Sequence, residues 1–595
     1  MILSTVELNG FRNFKSAFVN LKDKSLIIGA NDVGKTNLIW ALRLLLDKGL
    51  SEYDIEPRDS DFYAYEETHN FKIKLRFENV TDECVVSKLK GVISDDAKLI
   101  LMYEGICDPV TKSKSYKLFA GPSDDGLEEI QERYYRKVLN LRYISCRRDF
   151  HTYINKEKHN LLYLAKENRT GEQVAADDQL IGEISTSLTT IDSKIPQLTF
   201  VANATDIINA ELKKLSLHHS RQDIVFNAGT SDIDNFIDDV SISSKKDGKS
   251  LLIGGDGRLN QVYLSLWAAR NEISEANIQE VSLICIEEPE AHLHPHQQRK
   301  LSEYLSSSIH SQVIITSHSP QIASEYSPNS IVRLVDRGAG TYAASNGCSE
   351  IIEKAFNDFG YRMSIIPAEA FFADAVLLVE GPSEELFYKT LSRQLNIDTD
   401  RLNISILMVD GVGFKTFIKI LKSLEIKWVA RTDHDTFKIP QKEKYRYAGV
   451  QRLISFYRAN GMADNVLDDL LATHEANLSG FSLPAPQSAK DAVNVLVPEL
   501  IKHNLYLSNI DLEDDLYNSP IKTALDEFHC NNTDEDEKVV DVVGRMKKKK
   551  AVFMYEFLKQ HKDSLKQLEN EQVAVPLKRC EEIVKGYHEA NRATV

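Results

Sequence analysis

Residues 284–295 read ICIEEPEAHLHP, and the organisation of the whole chain follows from them. Val281, Leu283, Ile284, Cys285 and Ile286 form an apolar, β-prone run that ends in two consecutive carboxylates, Glu287 and Glu288. Acidic residues at the tip of a buried strand are where nucleotide hydrolysis needs them. One carboxylate holds Mg²⁺ through water, and the next polarises the attacking water. Such a strand requires a phosphate cradle upstream. Residues 29–36, GANDVGKT, supply a full G-x-x-x-x-G-K-[ST] loop between a short apolar strand (Leu26, Ile27, Ile28) and a helical pattern (Leu38, Ile39, Ala41, Leu42, Leu45). Its glycines let backbone N–H groups close around phosphate, and the helix N-terminus adds its dipole. ATP, or another nucleoside triphosphate, is therefore expected on Asn31, Gly34, Lys35, Thr36 and Asn37. Lys35 would reach the β/γ-phosphates and Thr36 the Mg²⁺.

Composition sets the bounds. A chain of 595 residues is too long for one core, and three or four domains are expected. With 42% apolar and 27% charged residues it has the make-up of a globular protein. No apolar run approaches the roughly 18 residues that span a bilayer. The N-terminus opens on an alternating strand pattern (Ile2, Leu3, Val6, Leu8) without a signal-peptide layout. A cytoplasmic protein with no membrane partner is expected. Seven cysteines without C-x-x-C pairs fit reduced thiols and argue against zinc. A net charge of −16 opposes global attraction to nucleic acid, so any DNA contact must use local basic patches.

Residues 1–150 read as mixed α/β, with a period-two strand at 71–77 (FKIKLRF). A further strand at 141–145 runs into Arg147, Arg148 and Asp149, where exposed arginines are ordinarily solvated. From 151 to 252 helical periodicity takes over, as in Ile181, Ile184, Leu188 and Ile191. Glu287 lies 252 positions after Lys35, more than a compact nucleotide fold needs, so something is inserted. Without sustained heptads the insertion is expected to be a compact helical module serving dimerisation. Residues 253–345 then complete the ATPase. They carry a glycine turn (254–257, GGDG) before a helix, the acidic strand, and an apolar strand at 313–316 ending in Ser317 and His318.

This order of motifs is similar to that of ABC-type ATPases of the recombination and chromosome-maintenance class. The resemblance implies that GGDG is the signature loop reaching across a dimer to the partner's γ-phosphate, and that His318 senses that phosphate. Gly254 stands where the signature loop usually has serine, which puts strong hydrolysis in doubt. Heads of this class sandwich nucleotide between two protomers, implying at least a homodimer.

A second site is expected within 346–595. Residues 375–379 (AVLLV) form a continuous apolar run, as in a parallel strand buried on both faces, and lead into Glu380, Gly381 and, one helical turn on, Glu384. A strand at 404–409 ends at Asp410-Gly411, and another at 427–431 leads to Asp433-His434-Asp435. A glutamate at one strand tip and Asp-x-Asp at another form a hard oxygen cage for Mg²⁺ or Mn²⁺. Two such ions can hold both the attacking and the leaving oxygen in phosphodiester cleavage. This half resembles the Toprim domain of topoisomerases, primases and nucleases. The resemblance assigns Glu380, Asp433 and Asp435 as metal ligands, Glu384 as the second glutamate of the nuclease variety, and Glu513 as a further ligand. It also implies one late lysine near the scissile phosphate; Lys549 is the first choice in the run 547–550 and Lys550 the second.

Taken together the chain resembles the OLD family of nucleases, and within it the nuclease subunits of Gabija anti-phage systems, through NDVGKTN, GDGR, IEEPE, SHS, VEGPSEE, TDHD and LYLSNIDLEDDLY. The fold class expected is α/β: an ABC-type ATPase head with an inserted helical dimerisation module, followed by a C-terminal Toprim domain. The resemblance implies a metal-dependent endonuclease on duplex DNA, controlled by nucleotide, acting in bacterial anti-phage defence. It further implies a UvrD-like helicase partner and a homo-oligomer, dimer or tetramer. Two other readings use the same motifs: a stand-alone OLD-type nuclease without a helicase, and a non-cutting, ATP-dependent scaffold for DNA repair. Intact Glu380, Asp433 and Asp435 argue against the scaffold.

Overall fold

The computed structural model describes residues 1–145, 150–215, 242–246, 249–251, 255–275, 280–307, 309–348, 368–409, 413–461, 463–531 and 541–593. Arg147, Arg148, Asp149, Gly254, Asp410 and Gly411 lie outside the described residues.

The chain divides into two units. The larger comprises residues 1–146, 280–290 and 295–595. It opens with the hairpin β1 (Ile2–Phe11) and β2 (Phe14–Asn20), then β3 (Lys24–Ile28), which leads into helix α1 (Lys35–Leu46). Next come β4 (Asn70–Glu78), β5 (Leu99–Cys107), β6 (Lys114–Gly121), β7 (Glu128–Ile130) and β8 (Leu139–Ile144). The smaller unit holds α2 (Phe150–Glu167), α3 (Gly171–Lys194), α4 (Thr199–Leu215), the β9 (Ser244–Lys246) and β10 (Lys249–Leu251) pair, and α5 (Asp256–Glu275). Within it α2 packs on α5, with the Tyr153 and Tyr263 rings 5.8 Å apart.

Back in the larger unit, β11 (Val281–Glu287), α6 (Pro295–Ser307), β12 (Val313–Thr316), β13 (Ile331–Asp336) and β14 (Thr341–Ala343) complete the head. One sheet runs β2-β1-β4-β5-β6-β7 and is antiparallel. The other runs β14-β13-β3-β12-β11-β8, parallel except at β14. Its central strands carry Leu26, Ile27, Ile28, Val313, Ile314 and Ile315, all fully buried, as continuous apolar runs are in a sheet covered on both faces. That parallel order places the ends of β3, β11 and β12 side by side, which brings the phosphate loop, the acidic pair and His318 to one edge.

The C-terminal part contains β15 (Ala375–Val379), α7 (Pro382–Gln394), β16 (Ile404–Met408), β17 (Lys427–Thr432), β18 (Thr436–Lys438), β19 (Tyr445–Tyr447), α8 (Ala448–Asn460), β20 (Ser479–Phe481), β21 (Leu505–Leu507), α9 (Leu512–Tyr517), α10 (Val542–His561) and α11 (Val575–Ala593). A parallel sheet β16-β15-β17-β21 forms its centre, and β18-β19-β20 a small antiparallel sheet beside it. Its core joins the sheet's apolar residues to Phe528, Phe553, Phe557 and Leu577. The class is α/β, as expected. The stretch α10 starts at Val542, capped by Asp541, which accepts from the Gly544 N–H at 2.6 Å, and it is kinked at Lys550 with φ 24°. Lysine is a good helix former, so the lysine run continues the first segment as far as the kink and stands directly before the apolar segment that holds Phe553 and Phe557. No helix among the described residues is long and apolar enough to cross a membrane.

Candidate functional site

Two groups of candidate residues form, one in each half of the larger unit. At the phosphate loop Gly34 has φ 104°, a left-handed conformation, and a Cβ there would run into the Asn13 side chain. Asn13 in turn donates to the Val33 carbonyl at 2.9 Å and to Thr341 Oγ1 at 2.7 Å, fixing the loop. Lys35 is buried, and its Nζ donates to the Gly29 and Ala30 carbonyls at 3.0 and 2.7 Å. Burial pushes its ammonium down to about 8, partly offset by Glu288, Asp32 and Glu290. Thr36 and Asn31 are exposed. Asn37 accepts from Arg12 Nη1 and donates to Asn13 Oδ1, each at 2.8 Å.

Across the parallel sheet, Glu287 is buried and accepts from the Tyr143 hydroxyl at 2.6 Å. Glu288 turns out of the strand with φ 44°, and its carboxylate lies 3.6 Å from His318 Nε2. Burial and the nearby Lys35 charge lower the His318 imidazole below its ordinary value, favouring the neutral ring. Glu290, which the sequence did not single out, ties the two loops together. It accepts from Ser317 Oγ and from the His318 backbone N–H, both at 2.8 Å. The EEPE spacing was its only signal.

In the second group the tips of β15 and β17 bring Glu380, Asp433 and Asp435 together. Glu380 Oε1 accepts from the Asp433 N–H at 3.0 Å and also meets the Thr432 hydroxyl and Arg452. Asp433 accepts from Ser508 at 2.9 Å. Its carboxyl is pushed up to about 8 by burial and then by the charges of Glu384 and Glu380, against the opposing pull of Arg431. Glu384 is buried at the start of α7; Oε2 accepts from the Glu380 N–H at 2.5 Å and the Gly381 N–H at 3.3 Å, while Oε1 pairs with Arg431 at 2.5 Å. Arg431 also pairs with Asp515 at 2.8 Å.

Arg452, on α8, was not legible in the sequence. Its guanidinium bridges Glu380 and Asp435, with Nη2 2.6 Å from the Asp435 carboxylate. Among the described residues no three histidine, cysteine or acidic side chains are already gathered as a metal-ligand set. The arginines hold these carboxylates instead. The donors are nonetheless hard carboxylate oxygens, one of them driven toward protonation by its neighbours, and a guanidinium already spans two of them. They fit Mg²⁺ or Mn²⁺.

Glu513 on α9 is buried, and burial and Asp511 raise its carboxyl while Lys550 and Lys547 oppose the rise. Lys547 reaches this acidic turn directly, pairing with Asp511 at 2.8 Å and contacting Asp514. Lys549 is exposed.

Two domain classes are thus joined in one chain, an ATPase head and a Toprim fold. The family profile of the AAA ATPase domain matches residues 1–137 and 88–323, over half of the chain, and the chain belongs to that family. A profile described as Overcoming lysogenization defect protein-like, TOPRIM domain, matches residues 371–435, the stretch that contains Glu380, Glu384, Asp433 and Asp435. Among individual proteins the chain is similar to Endonuclease GajA of Bacillus cereus (strain VD045), 25% identical over 548 residues, 87% of this chain and 90% of the relative. It is also similar to the Old nuclease of Escherichia phage P2, 22% identical over 73% of this chain and 77% of the relative. The OLD nuclease of Thermus scotoductus is 28% identical over 32% of this chain and 37% of its own length.

Proposed function

We propose that the chain is a nucleotide-regulated, divalent-metal-dependent DNA endonuclease of bacterial anti-phage defence. The observation that carries this reading is the convergence of Glu380, Asp433 and Asp435 at adjacent parallel strand tips, with Asp433 pushed up to about 8 by burial and by its acidic neighbours. Glu380, Asp433 and Asp435 would hold the metal, with Glu384 and Glu513 at its margin. Bound there, Mg²⁺ or Mn²⁺ supplies charge neutralisation on the scissile phosphate and a nucleophilic water at neutral pH. The chain's own residues do the rest. Ser508 and the Asp433 N–H orient the two carboxylates nearest the strand tips. A lysine of the run 547–550 neutralises charge that develops on the phosphate. In the head, Asn31, Gly34, Lys35 and Thr36 bind ATP, Thr36 and Glu287 hold its Mg²⁺, and Glu288 with His318 attends the γ-phosphate. The names of the relatives support DNA as substrate. A homo-oligomer, dimer or tetramer, working with a UvrD-like helicase in the cytoplasm, completes the reading.

The test is plasmid cleavage with Mg²⁺, comparing the native chain with Glu380→Ala, each with and without ATP. Nicking or linearisation is expected from the native chain and a loss of at least a hundredfold from the variant. Equal cutting by both would remove the cage assignment. The paired ATP lanes give the sign of nucleotide control.

A further inference from the structure

The net charge of −16 requires any DNA-binding surface to be local, and one such surface grows directly out of the cage. Residues 436–447, TFKIPQKEKYRY, leave Asp435 as β18 and return as β19 into α8. They carry Lys438, Lys442, Lys444 and Arg446 against a single acid, Glu443, which is paired with Lys438 at 2.6 Å. All four cations are exposed.

The faces of the hairpin are unlike. Register pairs Phe437 with Arg446 and Thr436 with Tyr447, and directly opposed residues share a face. Tyr447 packs inward, its ring 4.9 Å from His434 and 4.8 Å from Phe481. Phe437 and Arg446 therefore stand on the other face, where both are exposed, Phe437 at 48%, and Arg446 Nη1 donates to Gln451 Oε1 at 3.4 Å. An exposed aromatic on the same face as an arginine, with lysines at the tip, suits a polyanion that also offers flat bases and sugars.

The base of the hairpin is pinned to the site. The Ala448 and Gly449 N–H groups donate to the Asp435 carbonyl at 2.8 and 3.2 Å. The arms run four residues each, from the Thr436–Tyr447 pair to Ile439, whose N–H donates to the Lys444 carbonyl at 2.7 Å, and at about 3.3 Å per residue they reach roughly 13 Å from the cage before the turn. That length matches about four phosphate steps of one DNA strand at about 3.4 Å each.

We propose that the hairpin 436–447 is the wing that grips the phosphate backbone of duplex DNA beside the cleavage cage, through Lys438, Lys442, Lys444 and Arg446. This rests on the nuclease reading and locates its substrate. The wing supplies affinity and register, and the cage supplies chemistry.

The test measures binding of a fluorescent 30-base-pair duplex to the full chain in EDTA, across a salt series. The native chain is compared with the quadruple variant Lys438→Gln, Lys442→Gln, Lys444→Gln, Arg446→Gln, and with a charge-keeping variant in which the three lysines become arginine. Affinity of the glutamine variant is expected to fall at least thirtyfold, with the slope of log affinity against log salt shallower by about 3.6, near 0.9 for each of the four lost phosphate contacts. The arginine variant should keep both. With Mg²⁺, KM for a short duplex should rise while kcat stays within about threefold. Native affinity and slope in the glutamine variant would overturn the wing while leaving the nuclease standing. So would duplex binding that persists while binding to an acidic partner protein is lost. Absence of duplex binding by the native chain would overturn the wing together with the reading beneath it.

Discussion

Lys35 shows how one residue can carry the nucleotide chemistry and report on it. Buried, with the Gly29 and Ala30 carbonyls accepting from its ammonium, it has its pKa lowered to about 8 by desolvation, which outweighs the pull of Glu288, Asp32 and Glu290. An unfolded lysine titrates near 10.4. Because the folded value is depressed, the lysine's contribution to stability is fully present above about 10.4 and is lost as pH falls through about 8. A triphosphate reverses that balance by favouring the charged form. ATP binding is therefore expected to take up a proton, most strongly between pH 8 and 10, and to weaken as pH rises through that range. Calorimetry in buffers of different ionisation enthalpy checks this; heats that do not depend on the buffer would mean that Lys35 is already charged.

Arg452 makes the complementary case at the cage. Its guanidinium sits on Glu380 and Asp435, so an entering cation must compete with it. Arg452→Gln should tighten Mn²⁺ binding, read by electron paramagnetic resonance, by up to about fivefold, the worth of one partly exposed charge pair at about 1 kcal/mol. Weaker Mn²⁺ binding would instead make Arg452 an organiser of the ligands. The carboxylates were legible because strand tips followed by acids form a linear pattern. Arg452 was not, since it lies 17 residues from Asp435 and 72 from Glu380 and meets both only through the fold. The Arg431–Asp515 pair, 84 residues apart, was hidden for the same reason.

Among elements, α8 decides the geometry of the cage's outer wall. It starts flush against the Asp433–Asp435 turn, and a Cβ on Gly449 would press into the Asp433 carbonyl oxygen and lie 2.9 Å from His434 Cα. Gly449→Ala must push the helix away, moving Arg452 and the base of the β18–β19 hairpin with it. Overpacking of this kind costs about 1–3 kcal/mol, so a lower melting temperature is expected together with cleavage reduced more than tenfold. Native melting and native cutting would show that the helix start adjusts without consequence. The central strands of both parallel sheets were legible because burial on both faces forces unbroken apolar runs: β15 and β12 fall at 375–379 and 313–316 as read. The antiparallel strands β5 and β6 were not read. In LILMYEGIC five consecutive buried residues replace alternation, and the sequence of β6 alternates only in part. The segment of α10 before the kink at Lys550 escaped because a lysine run carries no apolar periodicity, although its helix propensity is high.

At the scale of the molecule, Arg333 links the phosphate loop to the cage. It lies on β13 in register with Ile28, the residue before the loop's first glycine, and a Cβ on that Gly29 would meet the Leu334 carbonyl at 2.8 Å. A shift of the loop therefore bears on β13. The buried Arg333 guanidinium donates to the Leu424 carbonyl at 3.1 Å, to the Glu425 carbonyl at 3.3 Å and to the Ala373 carbonyl at 3.0 Å. Those carbonyls stand just before β17 and β15, the two strands whose far ends carry Asp433 and Glu380. One guanidinium thus holds the rear of both strands that build the cage. Arg337 adds a two-pronged pair to Glu425 at 2.5 and 2.6 Å. A cavity of about 950 Å³, lined by Asn31, Arg333, Glu425 and Tyr587 among others, leaves room for these parts to shift. Coupling through such a path is worth on the order of 0.5–2 kcal/mol, a two- to thirtyfold effect on cleavage. Arg333→Ala strands buried carbonyls and should cost on the order of 3 kcal/mol in stability. Arg337→Ala removes a more exposed pair and should cost about 1 kcal/mol or less. In both variants the ratio of cleavage rates with and without ATP is expected to move toward one, while the rate without ATP stays within about threefold of native. A native ratio in a folded Arg333→Ala chain would mean that nucleotide reaches the cage by a route that does not pass through Arg333.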